Sequence, residues 1–197
     1  MEKPALTELP LIGPIRNRWS PRAFAERPLS GDELQTLLEA LRWAPSCFNA
    51  QPWAFLVAQR DEPEFALMVD CLVPGNQAWA EQAPVLLLAL AEPNFSHNGK
   101  PNRHAWHDVG LALGNLLAQA TAMGIAAHLM AGFSPEAARG AFQIPDTHSP
   151  VTLLALGYPG DPESLPDELR ERELAPRSRK PLENFVFQQR FGTPRSF

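Results

Sequence analysis

Cysteine is scarce in this 197-residue sequence. Its two cysteines, Cys47 and Cys71, are too few for a disulfide framework, so reduced thiols and a cytoplasmic setting are expected. Long hydrophobic runs are missing too. The longest purely apolar stretch, Ala83 to Ala91, falls far short of the roughly 20 residues a transmembrane helix needs. The opening Met-Glu-Lys-Pro-Ala-Leu lacks the apolar core of a secretory signal. Neither G-x-x-x-x-G-K-[ST] nor G-x-G-x-x-G occurs, which leaves a P-loop nucleotidase or a Rossmann dehydrogenase unsupported. The G-x-S-x-G elbow and His-Glu-x-x-His are absent as well. A net charge of −5 argues against nucleic acid or an anionic membrane as the main partner.

What is present suits a globular α+β protein. The sequence is 45% hydrophobic and 20% charged, enough for a substantial core, and its length fits one domain over residues 1–197. The basic residues are unevenly spread. Arg16, Arg18, Arg22 and Arg27 lie near one end, and Arg170, Arg172, Arg177, Arg179, Lys180, Arg190 and Arg195 near the other. Only three of the 17 basic residues are lysine, and arginine is the side chain whose planar fork grips carboxylate or phosphate. If the two ends meet in space they form one anion site. The alternative for each arginine taken singly is a solvated surface position.

Local signals place the elements. Ser30-Gly31-Asp32-Glu33 is a capping box, followed by Leu34, Leu37, Leu38 and Leu41 at helical spacing, with Pro45 as the stop. Ala54–Ala58 reads as a buried strand and 62–72 as a helix. Residues 73–76 read as a break, after which helix resumes over 77–82. Val85–Leu90, apolar on both faces, reads as a central strand. A polar loop over 92–104 precedes a long helix whose apolar stripe is Trp106, Val109, Leu113, Leu116, Leu117, Ala120 and Met123, with Gly124 at its end. Gly110 and Gly114 leave a flat strip on that helix. Strands follow at 126–130 and 151–156, separated by a helix that begins Ser134-Pro135-Glu136. The expected architecture is a three-layer α/β/α sandwich with a mixed, mainly antiparallel sheet flanked by helices. The aromatic tail within about 161–197 is expected to lie on a second subunit, the alternative being a frayed end.

His104, His107 and Asp108 could share a helix face for metal ligation, but two histidines and a carboxylate beside a polar loop often recur by chance. Cys47 has no visible histidine partner and reads as a packed or surface thiol. What remains is an arginine cluster, an Asn/Gln-rich loop and several tryptophans. That set suits a planar, phosphorylated ligand: guanidinium groups for phosphate, amides for ring hydrogen bonds, apolar walls for ring faces.

Four segments, in order, resemble the nitroreductase family of FMN-dependent oxidoreductases. Arg18-Trp19-Ser20-Pro21-Arg22-Ala23-Phe24 is similar to that family's R-x-S-x-R-x-F opening. The stretch Ala44-Pro45-Ser46-Cys47-Phe48-Asn49-Ala50-Gln51-Pro52-Trp53 resembles its A-P-S-x-x-N-x-Q-P-W loop. Gly75-Asn76 is similar to its G-N segment, and Arg177-Ser178-Arg179 to its late [KR]-x-R. The resemblance implies FMN at the interface of a homodimer, with Arg18, Ser20, Arg22, Arg177 and Arg179 at the phosphate and ribityl. It implies that Pro45, Ser46 and Cys47 flank the isoalloxazine, that Asn49 and Gln51 shape the pocket, and that Asn76 makes a polar contact to the flavin. The family's Glu-Gly falls on Ala131-Gly132, so the glutamate is absent there, although backbone N–H groups could still approach the flavin. Trp19 stands where arginine or histidine is common. The chain is short for the family, which implies an open pocket. NADH or NADPH is the implied transient donor, and nitroaromatics, quinones or flavins the implied acceptors, in a two-step cycle without a side-chain catalyst. The rivals are an FMN storage or carrier protein and a specialised flavoenzyme with little nitroreductase turnover.

Overall fold

Residues 1–196 are described by the computed structural model of the chain. Strand β2 (Val85–Ala91) organises it: all seven of its residues are buried, because both faces of the sheet are covered. It pairs antiparallel with β1 (Trp53–Gln59) on one side and β4 (Ser149–Gly157) on the other. Strand β3 (Ala126–Met130) completes the order β1-β2-β4-β3. The sheet expected as mixed and mainly antiparallel is antiparallel in every pairing.

Period-two alternation divides the core into two layers. Leu86, Leu88 and Leu90 of β2 join Leu153 and Ala155 of β4 on one face. They pack there with residues of α3 (Pro63–Asp70), α4 (Pro74–Ala80) and α6 (Pro135–Ala141). Val85, Leu87 and Ala89 face the other way with Leu154 and Leu156, against α2 (Gly31–Arg42) and α5 (Ala105–Ala122). A short helix, α1 (Gly13–Asn17), lies against α5. Beyond β4 comes α7 (Asp167–Leu174).

Capping chemistry sets several boundaries. The Ser30 hydroxyl accepts from the Glu33 N–H at 3.2 Å while the Glu33 carboxylate accepts from the Ser30 N–H at 2.8 Å, the reciprocal box that starts α2. Ser134 caps α6 through the Ala137 N–H at 3.1 Å. At the far end of α5 the N–H of Gly124 bonds to the Thr121 carbonyl and that of Ile125 to the Ala120 carbonyl, the paired closure of a Schellman turn.

Three expectations need correcting. The residues read as a break at 73–76 instead begin α4, because Pro74 occupies its first turn, where a missing N–H removes no helical bond. Trp106 is 48% exposed rather than part of the apolar stripe. The buried line of α5 runs through Ala105, Val109, Ala112, Leu116 and Ala120, one position round the helix from Trp106. Helix α7 was not anticipated, since its sequence, Asp-Glu-Leu-Arg-Glu-Arg-Glu-Leu, carries almost no apolar periodicity.

Candidate functional site

The turn that carries Arg18, Ser20 and Arg22 is anchored from below by aromatic packing. Phe24 is buried and stacks on Trp79 of α4, with centroids 6.3 Å apart, and Trp79 in turn meets the His128 ring at 4.5 Å. His128, on β3, lies 2.9 Å through Nδ1 from the Pro21 carbonyl. A carbonyl only accepts, so Nδ1 carries the proton. Burial, opposed by that hydrogen bond and reinforced by the nearby Arg22 and Arg18 charges, lowers the His128 pKa to about 4. The trailing end of the turn runs beside the exit of β4. The Ala25 N–H donates to the Tyr158 carbonyl at 2.9 Å and the Gly160 N–H to the Ala23 carbonyl at 2.8 Å. A Cβ at position 160 would lie 2.5 Å from the Phe24 carbonyl carbon, so this approach requires glycine.

Two arginines from opposite ends of the chain meet on this turn. Arg18 donates to the Ser20 hydroxyl at 3.1 Å. Arg177 donates to the Arg16 carbonyl at 3.2 Å and to the Lys3 carbonyl. The Arg18 pKa is lowered, first by burial and then by the charges of Arg177 and Arg179; that of Arg177 is lowered by burial and by Arg179. Among the described residues no carboxylate pairs with Arg18, Arg177 or Arg179. The one acid of the cluster, Glu173, pairs at 3.7 Å with Arg22 instead. Three mutually repelling guanidinium groups, with no carboxylate partner among the described residues, are chemically suited to an oxyanion. Trp19 is half-buried, with the Lys3 ammonium 4.8 Å from its ring centroid. It lines a cavity of about 310 Å³ together with Arg18, Asn17 and Thr121.

A second group lies past the end of β3. The Asn76 amide donates to the Gly132 carbonyl at 3.0 Å, and a Cβ at Gly132 would lie 2.7 Å from the Asn76 Nδ2 and 2.9 Å from Val73 Cγ2. Asn76 therefore packs against a backbone that only glycine allows, next to the exposed Ala131.

The third group is the 45–51 loop, which enters β1. Phe48, Asn49 and Gln51 have φ of 53°, 54° and 49°, left-handed values uncommon for such residues and concentrated at functional turns. The Ser46 hydroxyl accepts from the Gln51 N–H at 3.0 Å, and the Cys47 N–H donates to Asp108 at 2.9 Å. Asp108, 2% exposed at the start of α5, takes His107 Nδ1 on its other oxygen at 2.9 Å. Asp108 thus orients this loop; among the described residues no trio of His, Cys, Asp or Glu converges as metal ligands. Both Cys47 and Cys71 are free.

The arginine cluster and the Asn76–Gly132 group flank β3, whereas the 45–51 loop precedes β1. Those are opposite edges of the sheet, three interstrand spacings or about 14 Å apart. Within one protomer the expected residues therefore fall into two groups, one at each edge of the sheet. Sequence reasoning missed Glu173 and His128 and weighed Asp108 only as a metal ligand, not as the acceptor of the Cys47 N–H; each is a polar group whose partner is far away in the chain. Neither spacing nor composition signals such pairs.

Comparison with known proteins gives a consistent picture. The family model described as Nitroreductase family matches residues 15–67 and 62–158. A crystal structure of an oxidoreductase containing FMN is 38% identical, with a TM-score of 0.90, covering 95% of this chain and 96% of that one. An NADH dehydrogenase of Thermus thermophilus is 28% identical over 86% of this chain and 91% of its own length. An FMN reductase [NAD(P)H] of Bacillus subtilis is 24% identical over 77% of this chain and 66% of its own length.

Proposed function

Since this chain belongs to the nitroreductase family, we propose that it is an FMN-dependent oxidoreductase, drawing electrons from NADH or NADPH and passing them to small acceptors of the nitroaromatic, quinone or flavin type. The observation that carries this reading is the cluster of Arg18, Arg177 and Arg179, which among the described residues has no carboxylate partner. It is the receptor that a flavin phosphate, with a charge of about −1.5 to −2 near neutral pH, requires. Arg18, Ser20, Arg22, Arg177 and Arg179 would hold the phosphate and ribityl. Asn76 and the backbone of Ala131 and Gly132 would meet the ring, and Pro45, Ser46, Cys47, Asn49 and Gln51 would enclose it. FMN supplies the two-electron chemistry, and the protein supplies binding, orientation and electrostatics.

The two groups on opposite sheet edges fit a homodimer in which the 45–51 loop of one subunit covers the arginine side of the other. Exposed apolar residues agree with a large buried face: Phe48 is 87% exposed and Trp43 71%, unusual for aromatics left in water. The 161–197 tail is read as reaching the partner subunit. Donor and acceptor would use one cavity in turn, since the chain carries no separate dinucleotide fingerprint. With Ala131 in place of a carboxylate, protons for the acceptor come from solvent. Two reduced cysteines fit a cytoplasmic enzyme. Among the described residues no helix is long and apolar enough to cross a membrane.

The test is the visible spectrum of the purified protein before and after anaerobic NADH or NADPH. A yellow protein that bleaches supports the oxidoreductase. A yellow protein that never bleaches supports an FMN carrier or a specialised flavoenzyme. A colourless protein that takes up no added FMN refutes both.

A further inference from the structure

Helix α7 fully buries a single side chain, and it is a carboxylate: Glu173, 1% exposed. An acid that deep is tolerated only with dedicated partners. Its oxygens accept from the Arg22 N–H at 2.9 and 3.0 Å and from the Ala23 N–H at 3.2 Å, and the Arg22 guanidinium stands 3.7 Å away. Its own backbone carbonyl accepts from Lys3 Nζ at 2.6 Å, and Lys3 also donates to the Ala175 carbonyl. The Lys3 carbonyl in turn accepts from Arg177. Three segments far apart in the chain, at Lys3, the 16–23 turn and α7 with Arg177, are thus tied together through one buried acid and one lysine.

We infer that Glu173 is a positioning residue for phosphate capture: it fixes the 18–23 turn against the Arg177–Arg179 segment, so the guanidinium groups stand ready before the anion arrives. The inference rests on the reading that this cluster receives the FMN phosphate. Two features separate it from generic helix packing. Glu173 satisfies backbone N–H groups of the motif turn itself, which otherwise have no partner there. It also faces one guanidinium nitrogen of Arg22 at 3.7 Å, while among the described residues Arg18, Arg177 and Arg179 have no carboxylate partner. Holding a receptor in its bound geometry improves affinity by removing the ordering cost at the moment of binding.

FMN and riboflavin differ only in the terminal phosphate, so the ratio of their dissociation constants on the flavin-depleted full-length protein isolates this effect. For Glu173→Ala the expected result is FMN affinity weakened ~10-fold or more, as for the loss of charge-assisted contacts. Riboflavin affinity should move less than ~3-fold, within ordinary side-chain noise. Glu173→Gln keeps one oxygen for the turn's N–H groups and should restore most of the FMN preference. Should the alanine variant fail to fold, Glu173→Asp carries the test: its carboxylate is drawn back by one methylene and the preference should fall by an intermediate amount. Equal losses for both flavins, or no loss for either, would overturn the positioning role. Arg18→Ala keeps the two readings distinct. If it leaves the FMN-to-riboflavin ratio unchanged, the phosphate assignment fails. If it collapses the ratio while the Glu173 variants do not, only the role of Glu173 falls.

Discussion

Acid should weaken this protein more than its carboxylates alone dictate, and His128 supplies the reason. The imidazole is mostly buried between Trp79 and the 18–22 turn, with Nδ1–H committed to the Pro21 carbonyl. Burial and the Arg22 and Arg18 charges hold its pKa near 4, against about 6.5 in an unfolded chain. Between those values the unfolded state binds a proton that the folded state refuses, so stability falls as pH falls through this window and is fully present above about 6.5. The gap corresponds to about 3 kcal/mol when complete. At pH 5, where the unfolded imidazole is nearly all charged and the folded one nearly all neutral, it is about 2 kcal/mol.

The assay is urea unfolding at pH 7.5 and pH 5.0, at fixed protein and FMN concentration, for the parent and for His128→Gln. Glutamine can still donate to the Pro21 carbonyl but does not titrate, so the comparison cancels every other ionisable group. The parent should lose about 2 kcal/mol more than the variant between the two pH values. Losses equal to within about 0.5 kcal/mol, the usual additivity error, would refute the argument.

Other expectations follow from contacts already described. Arg18→Ala and Arg179→Ala should each weaken FMN binding by about 1.5–3 kcal/mol, the worth of a charge-assisted hydrogen bond, with little change in circular dichroism; flavin fluorescence titration measures it. Gly132→Ala pushes a methyl group to 2.7 Å from the Asn76 amide, which should cost about 1–3 kcal/mol of stability by overpacking. Combining it with Asn76→Ala should recover part of that loss in a thermal melt. Removing everything after Lys180 deletes the exposed Phe185 and the Phe187–Phe191 ring pair, whose centroids are 4.8 Å apart. The truncated protein should sediment as a weaker dimer, and an unchanged association constant would refute the wrapping-tail reading.

The elements written most clearly in the sequence were those determined by neighbours a few residues away. The Ser30–Glu33 box, the Ser134 cap, the Gly124 closure and the unbroken apolar run of β2 each encode their own geometry. The motif arginines were legible as candidates because charge survives any folding. Their convergence entered only as a condition and through the family resemblance, since Arg18 and Arg177 are brought together by tertiary packing that spacing does not encode. Helix α7 stayed hidden for the same reason: a carboxylate, not an apolar stripe, docks it, and nothing in Glu171-Arg172-Glu173 marks the buried member. The left-handed run at Phe48 and Asn49 was equally silent, because no glycine announces it.

The link from Lys3 through Glu173 to Arg177 has a consequence for how the protein is made. The whole sheet is encoded by Gly157, so the scaffold can form on a nascent chain while residues beyond it are still within the ribosome. Glu173 and Arg177 emerge only afterwards, and their partners lie some 170 positions earlier, at Lys3. Closure of so long a loop comes late and slowly in folding. The arginine cluster therefore closes late, and a polypeptide that stops short of Glu173 can hold every strand of the sheet yet lack the carboxylate that anchors the Arg22–Ala23 turn.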